Sequence, residues 1–269
     1  LLHDDPKKFW RRLDNTTIGG KKLELETEEL VQLFGEWFNE PVIRLSAEAH
    51  QRLEKLQLEQ SHTAEDKIIG HYTVANNTLA RIIKRLPNGK AVGPDGVSNE
   101  MIKAALSQQL LEIYGSFLEL MINTGLIPTQ LNEGTLYPII KDQKGDTNDV
   151  KNVRPITVSN SMANIYERII LREIDERYIL NGFQLGFRQE ASTSHAAFLL
   201  REGLHQYTET RPKETIYVAA LDASKAFDKI LRPILFEKLR TILNQTLYRS
   251  LLQYYGATRV HIKNKDETS

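Results

Sequence analysis

The sequence predicts an α+β fold in which helices dominate and a few short strands are set between them. Apolar residues recur at helical spacing through the first 85 residues, and again after Ser98 and Ser161. Short apolar runs bounded by turn residues fall near residues 136–140, 154–158 and 216–221. At 269 residues and 41% hydrophobic, the chain is long enough for one large or two ordinary domains with a packed core. It contains no internal repeat and no low-complexity tract.

Composition narrows the function classes. There are no cysteines, which excludes disulfides and thiolate metal sites. The seven histidines lack zinc-ligand spacing. No apolar run approaches the ~20 residues of a membrane span, so no membrane association is expected. The chain starts Leu1-Leu2-His3-Asp4-Asp5, without an initiator Met, a basic n-region or an apolar h-region, and is expected to be a piece of something longer. Its 35 basic and 35 acidic residues cancel. Phosphate binding normally leaves a basic footprint, so any nucleic-acid surface here must be local.

Taken in order, Thr27 is expected to cap a helix with Glu28 and Glu29 in its first turn and Leu30, Phe34 and Phe38 along one face, stopped by Pro41. Ser46 is expected to cap a solvent-facing helix through Gln60. A third helix, between Thr73 and Leu86, carries Leu79, Ile82, Ile83 and Leu86 on one side. Pro87-Asn88-Gly89 breaks the pattern, and Gly93-Pro94-Asp95-Gly96 forms a turn. One long helix is expected from Ser98, with Ile102, Leu106, Leu110, Ile113, Phe117 and Met121 in a stripe, ending at Gly125 and Pro128. Strands near 136–140 and 154–158 flank a polar loop over 141–149. Helices follow at 161–180, ending at Asn181-Gly182, and at 194–207. Residues 216–221 are apolar without alternation, which predicts a strand covered on both faces. Two more helices are expected, after Pro233 to Leu243 and over 247–255, and residues 258–263 read as one arm of a hairpin whose partner is missing.

The predicted strand at 216–221 delivers Asp222. A carboxylate closing a buried strand is costly unless it is paired or bound to a cation. Hard cations such as Mg²⁺ take one or two carboxylates plus phosphate oxygens, and two-metal phosphoryl transfer uses them to stabilise attacking and leaving oxygens. The plainer reading is a turn former, and for Asp228 a helix cap.

The run Leu221-Asp222-Ala223-Ser224-Lys225-Ala226-Phe227-Asp228 resembles the first catalytic motif of LINE-type (non-LTR) retrotransposon reverse transcriptases. Three further segments resemble that family in the same order. They are Gly89-Lys90-Ala91-Val92-Gly93-Pro94-Asp95-Gly96; Tyr137-Pro138-Ile139-Ile140-Lys141 with Asp149-Val150-Lys151-Asn152-Val153-Arg154-Pro155-Ile156; and Gln184-Leu185-Gly186-Phe187-Arg188 with Ser192-Thr193-Ser194. Pro6-Lys7-Lys8-Phe9-Trp10 is similar to the stretch that joins an upstream endonuclease to the polymerase in such elements. Val153 stands where the family commonly has Tyr. The resemblance implies a helical N-terminal extension over residues 1–85, reverse-transcriptase fingers over 86–190 and the first part of an incomplete palm over 191–269.

What it implies for the site is specific. Asp222 and the carbonyl of Ala223 would hold Mg²⁺, with Asp222 catalytic. Phe227 would be the steric gate that clashes with a ribose 2′-OH, its alternative being core packing. Arg154 and Lys141 would touch the incoming triphosphate, where a guanidinium grips phosphate bidentately; the alternative is a solvated loop. Gln184 and Arg188 would hold the template, with helix packing and capping as the other reading. Partners implied are an RNA template, a DNA primer, deoxynucleoside triphosphates and an upstream endonuclease, with a nuclear or cytoplasmic location. No Asp-Asp pair follows Asp222, so the chain alone is expected to be inactive. The competing readings are a non-catalytic RNA-binding module and a group II intron-type maturase.

Overall fold

The structure is a computed structural model that describes residues 25–39, 46–65, 70–142, 144–146, 149–188, 191–223, 226–227, 230–264 and 267–268. The Pro6 to Trp10 segment, Pro41 and Asp228 lie outside them. Helix α1 (Thr27–Asn39) starts with Glu28 and Glu29 in its first turn, where carboxylates complement the helix dipole. Its Leu30 and Phe34, one turn apart, are buried against Leu136, Val153 and Ile262 of the sheet. Helix α2 (Ala47–Glu65) is capped by Ser46, whose hydroxyl accepts from the Ala49 N–H at 3.3 Å. It runs beyond Gln60, and its end is tied down rather than fully solvated. Gln60 donates to the Pro233 carbonyl at 2.9 Å, and Gln253 donates to the Ala64 carbonyl at 2.5 Å.

Helix α3 (Asn76–Lys84) buries Leu79 and Ile83, as its spacing predicts. The single long helix expected after Ser98 is instead two. Helix α4 (Asn99–Ala104) is capped by Ser98, and α5 (Gln108–Thr124) by Ser107, which accepts from the Leu110 N–H at 3.2 Å. A second serine cap three residues past the first helix offers the backbone an alternative to continuing. The interruption also shifts the phase of the stripe. Leu111, Leu118, Met121 and Ile122 face the core, while Ile113 is 65% exposed. Gly125, at φ 73°, ends α5 in the left-handed conformation that glycine adopts without steric cost.

The sheet runs β2-β1-β3-β4. Strands β1 (Glu133–Ile140) and β2 (Val153–Ser159) form an antiparallel hairpin in which Ile139 faces Arg154 and Pro138 faces Pro155. The Lys141 N–H donates to the Asn152 carbonyl at 2.7 Å. Counting back from it by alternation puts the two prolines in a non-hydrogen-bonded pair, where neither needs an N–H. Helix α6 (Ser161–Arg177) follows, ending three residues before the expected Leu180 as Tyr178 turns to extended backbone. Helix α7 (Thr193–Thr210), capped by Ser192, has no buried residue. Helices α8 (Arg232–Ile242) and α9 (Gln245–Gly256) return to the core.

Two strand expectations need correction. Residues 216–221 do not form a strand: they have no ladder partner among the described residues, with Leu221 fully exposed and Tyr217 91% exposed. Apolar composition favours a strand, but its N–H and C=O groups need a neighbour, and none of the described strands pairs with this run. Conversely, the hairpin arm near the end of the chain has its partner. Strand β3 (Arg259–Asn264) pairs antiparallel with β4 (Glu267–Thr268) and lies parallel to β1, with Leu136 opposite Ile262.

The main core joins α3, α4, α5, α6, α8 and α9 through residues such as Leu79, Ile102, Leu118, Tyr166, Phe236 and Leu251. Arg249, 1% exposed, donates to the Asn123 carbonyl at 2.6 Å, placing a cation at the C-terminal end of α5. Tyr166 and Tyr254 stack at 4.8 Å, and burial pushes both hydroxyls above their ordinary range. Among the described residues, no helix is long and apolar enough to cross a membrane.

Candidate functional site

The arm carrying Asp222 leaves α7 through a locked turn. The Tyr207 hydroxyl donates to Glu214 at 2.6 Å, Arg211 pairs with the same carboxylate at 3.4 Å, and its guanidinium lies 5.1 Å from the Tyr207 ring centre. Beyond it, Asp222 and Ala223 are exposed. Among the described residues no three His, Asp or Glu side chains gather to hold a cation. Asp222 and the Ala223 carbonyl are oxygen donors of the type Mg²⁺ takes together with phosphate oxygens.

Phe227 is 71% exposed. Its ring meets Phe187 edge-on, with centroids 5.5 Å apart and planes at 90°, a favoured aromatic geometry. Phe187 has φ 58°, a left-handed conformation that costs a non-glycine residue on the order of 1–3 kcal/mol. The turn before it is set by Asn181, whose carbonyl accepts from Gln184 N–H at 3.0 Å and whose side chain accepts from Phe183 N–H at 2.9 Å. Gln184 and Arg188 are both exposed on this turn. One ring contact therefore brings the Gln184 to Arg188 turn against the Asp222 arm.

Arg154 is exposed on β2, and Lys141, just past β1, donates its ammonium to the Lys151 carbonyl at 2.8 Å. Asn152 shapes the loop beside them. Its amide nitrogen donates to the carbonyls of Asp142 and Asp146, each at 2.9 Å, and its oxygen accepts from the Asp142 N–H at 2.9 Å. Asn152 faces Lys141 in the hairpin, so the asparagine that closes the loop also fixes where the lysine starts.

The Gly93 to Gly96 turn is docked rather than free. Asn160 accepts from the Asp95 N–H at 3.3 Å and donates to the Gln130 carbonyl at 2.6 Å, while Ser161 donates to the Val97 carbonyl at 2.9 Å. A Cβ at Gly93 would lie 2.3 Å from the Asn160 side-chain oxygen and 2.7 Å from its Cα. Gly93 is thus required by close approach. Sequence reasoning missed Asn160, Asn152 and the Phe187 contact. An Asn preceding a helix signals a cap, yet the Asn160 side chain makes no cap bond, and nothing in the sequence marks the distant carbonyl it reaches instead.

No family model matches the chain. Comparison with curated proteins finds the RNA-directed DNA polymerase from mobile element jockey of Drosophila melanogaster, 27% identical over 193 residues, covering 68% of this chain and 20% of that protein. The probable RNA-directed DNA polymerase from transposon X-element of the same organism is 27% identical over 194 residues, covering 69% of this chain and 20% of its own length. The retrovirus-related Pol polyprotein from type-1 retrotransposable element R2 of Popillia japonica is 27% identical over 140 residues, 52% of this chain and 18% of that protein. The chain spans about a fifth of the length of the curated relatives it matches. These likenesses agree with the four collinear motifs between Gly89 and Asp228: the chain is similar, over about two thirds of its length, to RNA-directed DNA polymerases of non-LTR retrotransposons.

Proposed function

We propose that this chain supplies the fingers, over residues 86–190, and the first part of the palm, over 191–269, of an RNA-directed DNA polymerase, preceded by a helical extension. The observation that carries the reading is the edge contact between Phe187 and Phe227. It supports a single site in which the template-side turn and the arm of Asp222 work together. A ring as exposed as that of Phe227 suits a gate against a sugar better than a core position, because it buries little.

In this reading Phe227 excludes the ribose 2′-OH of an incoming nucleotide, Arg154 and Lys141 receive its phosphates, and Gln184 and Arg188 steady the RNA template. Asp222 and the Ala223 carbonyl would contribute to a Mg²⁺ site, which when complete stabilises the attacking and leaving oxygens. Two-metal transfer needs carboxylates beyond Asp222, and the chain alone is proposed not to extend a primer. The test is nucleotide selection in a polymerase where this chain is followed by a paired-Asp motif. Phe227→Val should raise ribonucleotide over deoxynucleotide incorporation at least tenfold, which corresponds to about 1.4 kcal/mol of discrimination. Unchanged selectivity, or primer extension by the isolated chain, overturns the proposal.

A further inference from the structure

The chain has no net charge, so a surface for a polyanion has to be assembled locally by the fold, and β3 does this. Its residues alternate between faces. Ile262 goes to the buried side with Leu136, Val153 and α1, which leaves Arg259, His261 and Lys263 together on the other side. The parallel register sets Glu133 opposite Arg259 and Thr135 opposite His261; continued by one residue, it sets Tyr137 beside Lys263. The Lys263 ammonium lies 5.8 Å from the Tyr137 ring centre. On the same face of β2 is Arg154, opposite Ile139, and Lys141 continues that side of β1. Among the described residues of β1, β2 and β3, the face has one carboxylate, Glu133, at its far end.

The spacing selects the ligand. Arg259 and Lys263 are four residues apart, about 13 Å along the strand. Arg154 and Lys263 lie two strand spacings apart across β1 and two residues apart along it, about 12 Å in all. A row of this length is longer than one triphosphate and follows an extended chain of phosphates, with an aromatic ring on which a base can stack.

We propose that the basic face of the sheet, with Arg259 and Lys263 as its new members and Tyr137 as its platform, binds a single-stranded nucleic-acid backbone. This deepens the polymerase reading and rests on it for the identity of that strand as template. The 269-residue chain is titrated with a fluorescent RNA of about 12 nucleotides, within the site sizes of single-strand binders, at several salt concentrations. Replacing both residues (Arg259→Gln with Lys263→Gln) should weaken binding about tenfold and lower the salt slope by about 1.4, since each phosphate neutralised on a single strand adds ~0.7 to that slope. Lysine acetylation footprinting of the unaltered chain, which depends on no variant folding, should show Lys263 protected by RNA. Affinity within about twofold of the parent with an unchanged slope, an unprotected Lys263, or protection by a free nucleoside triphosphate and not by RNA each overturn the proposal. Arg154→Gln separates it from the polymerase reading. If that variant weakens binding while the β3 pair does not, only the β3 surface falls; if neither matters, the phosphate role of the hairpin falls too.

Discussion

Replacing Gly93 with Ala tests how the turn of the first motif is held. The added methyl carbon would meet the Asn160 side-chain oxygen at 2.3 Å, its Cα at 2.7 Å and its backbone nitrogen at 2.8 Å. Two of these atoms are backbone at the start of α6, so a rotamer change of Asn160 cannot relieve the clash. Reaching ordinary separation near ~3.5–4 Å requires the turn and the helix to part by about 1 Å. That movement breaks the Asp95 N–H bond to Asn160, already 3.3 Å long, and strains the Asn160 bond to the Gln130 carbonyl. Overpacking costs about 1–3 kcal/mol and each weakened buried bond about 1 kcal/mol. The lower entropy of the unfolded alanine chain returns about 0.4–1 kcal/mol. The expected net loss is about 2–4 kcal/mol, read as a lower urea midpoint by circular dichroism with an unchanged slope. Gly182→Ala is the control: nothing lies within 4 Å of the added carbon, so the change should stay within about 0.5 kcal/mol. If Gly93→Ala unfolds with the parent, or if Asn160→Ala added to it restores stability, the backbone clash is not what demands glycine.

Phe34→Ala should cost about 3–5 kcal/mol, because that ring is 2% exposed against the sheet. Hydrogen exchange should then quicken first in β1 and β3, and an effect confined to α1 would contradict the docking. Arg249→Met removes the buried cation that donates to the Asn123 carbonyl, and a loss of about 1.5–3 kcal/mol is expected on thermal or urea melting; a neutral result would mean the carbonyl finds another donor. The Gly89 N–H donates to the Glu100 carboxylate, and this bond is the main cause holding that carboxyl below its ordinary value. With the folded value below the unfolded one, the bond's contribution is present above the ordinary glutamate range. It fades as pH falls through the lower folded value. The Gly89 amide shift, followed by NMR, should titrate below ~4.3, and a midpoint at or above that would refute the bond.

Local chemistry was readable in the sequence wherever one residue decides it. Ser46 and Ser98 begin helices, Gly125 ends one, and the apolar runs at 136–140 and 154–158 are strands, whereas the Ser192 cap of the helix expected from Ser194 was not foreseen. The split after Ala104 was missed because the apolar spacing continues straight through it, and only Ser107 signals the second cap. Residues 216–221 have the composition of a buried strand and lack a partner to make them one, which no property of the run itself reveals. The site was legible as motifs and not as geometry. Phe187 and Phe227 are 40 positions apart in the chain yet touch, and Asn160 reaches back 65 positions to Asp95. The alternation of Arg259, His261 and Lys263 was visible, but its meaning depended on β3 lying parallel to β1, a pairing set by tertiary packing.

The measurement that bears most directly on the central claim is primer extension by a polymerase that joins this chain to a paired-Asp motif, comparing Asp222 with Asp222→Asn. The account predicts that the substitution abolishes Mg²⁺-dependent extension while RNA affinity stays within about twofold, because only the carboxylate charge is removed from an exposed side chain. Extension that continues in the Asn variant would contradict the assignment of Asp222 to catalysis.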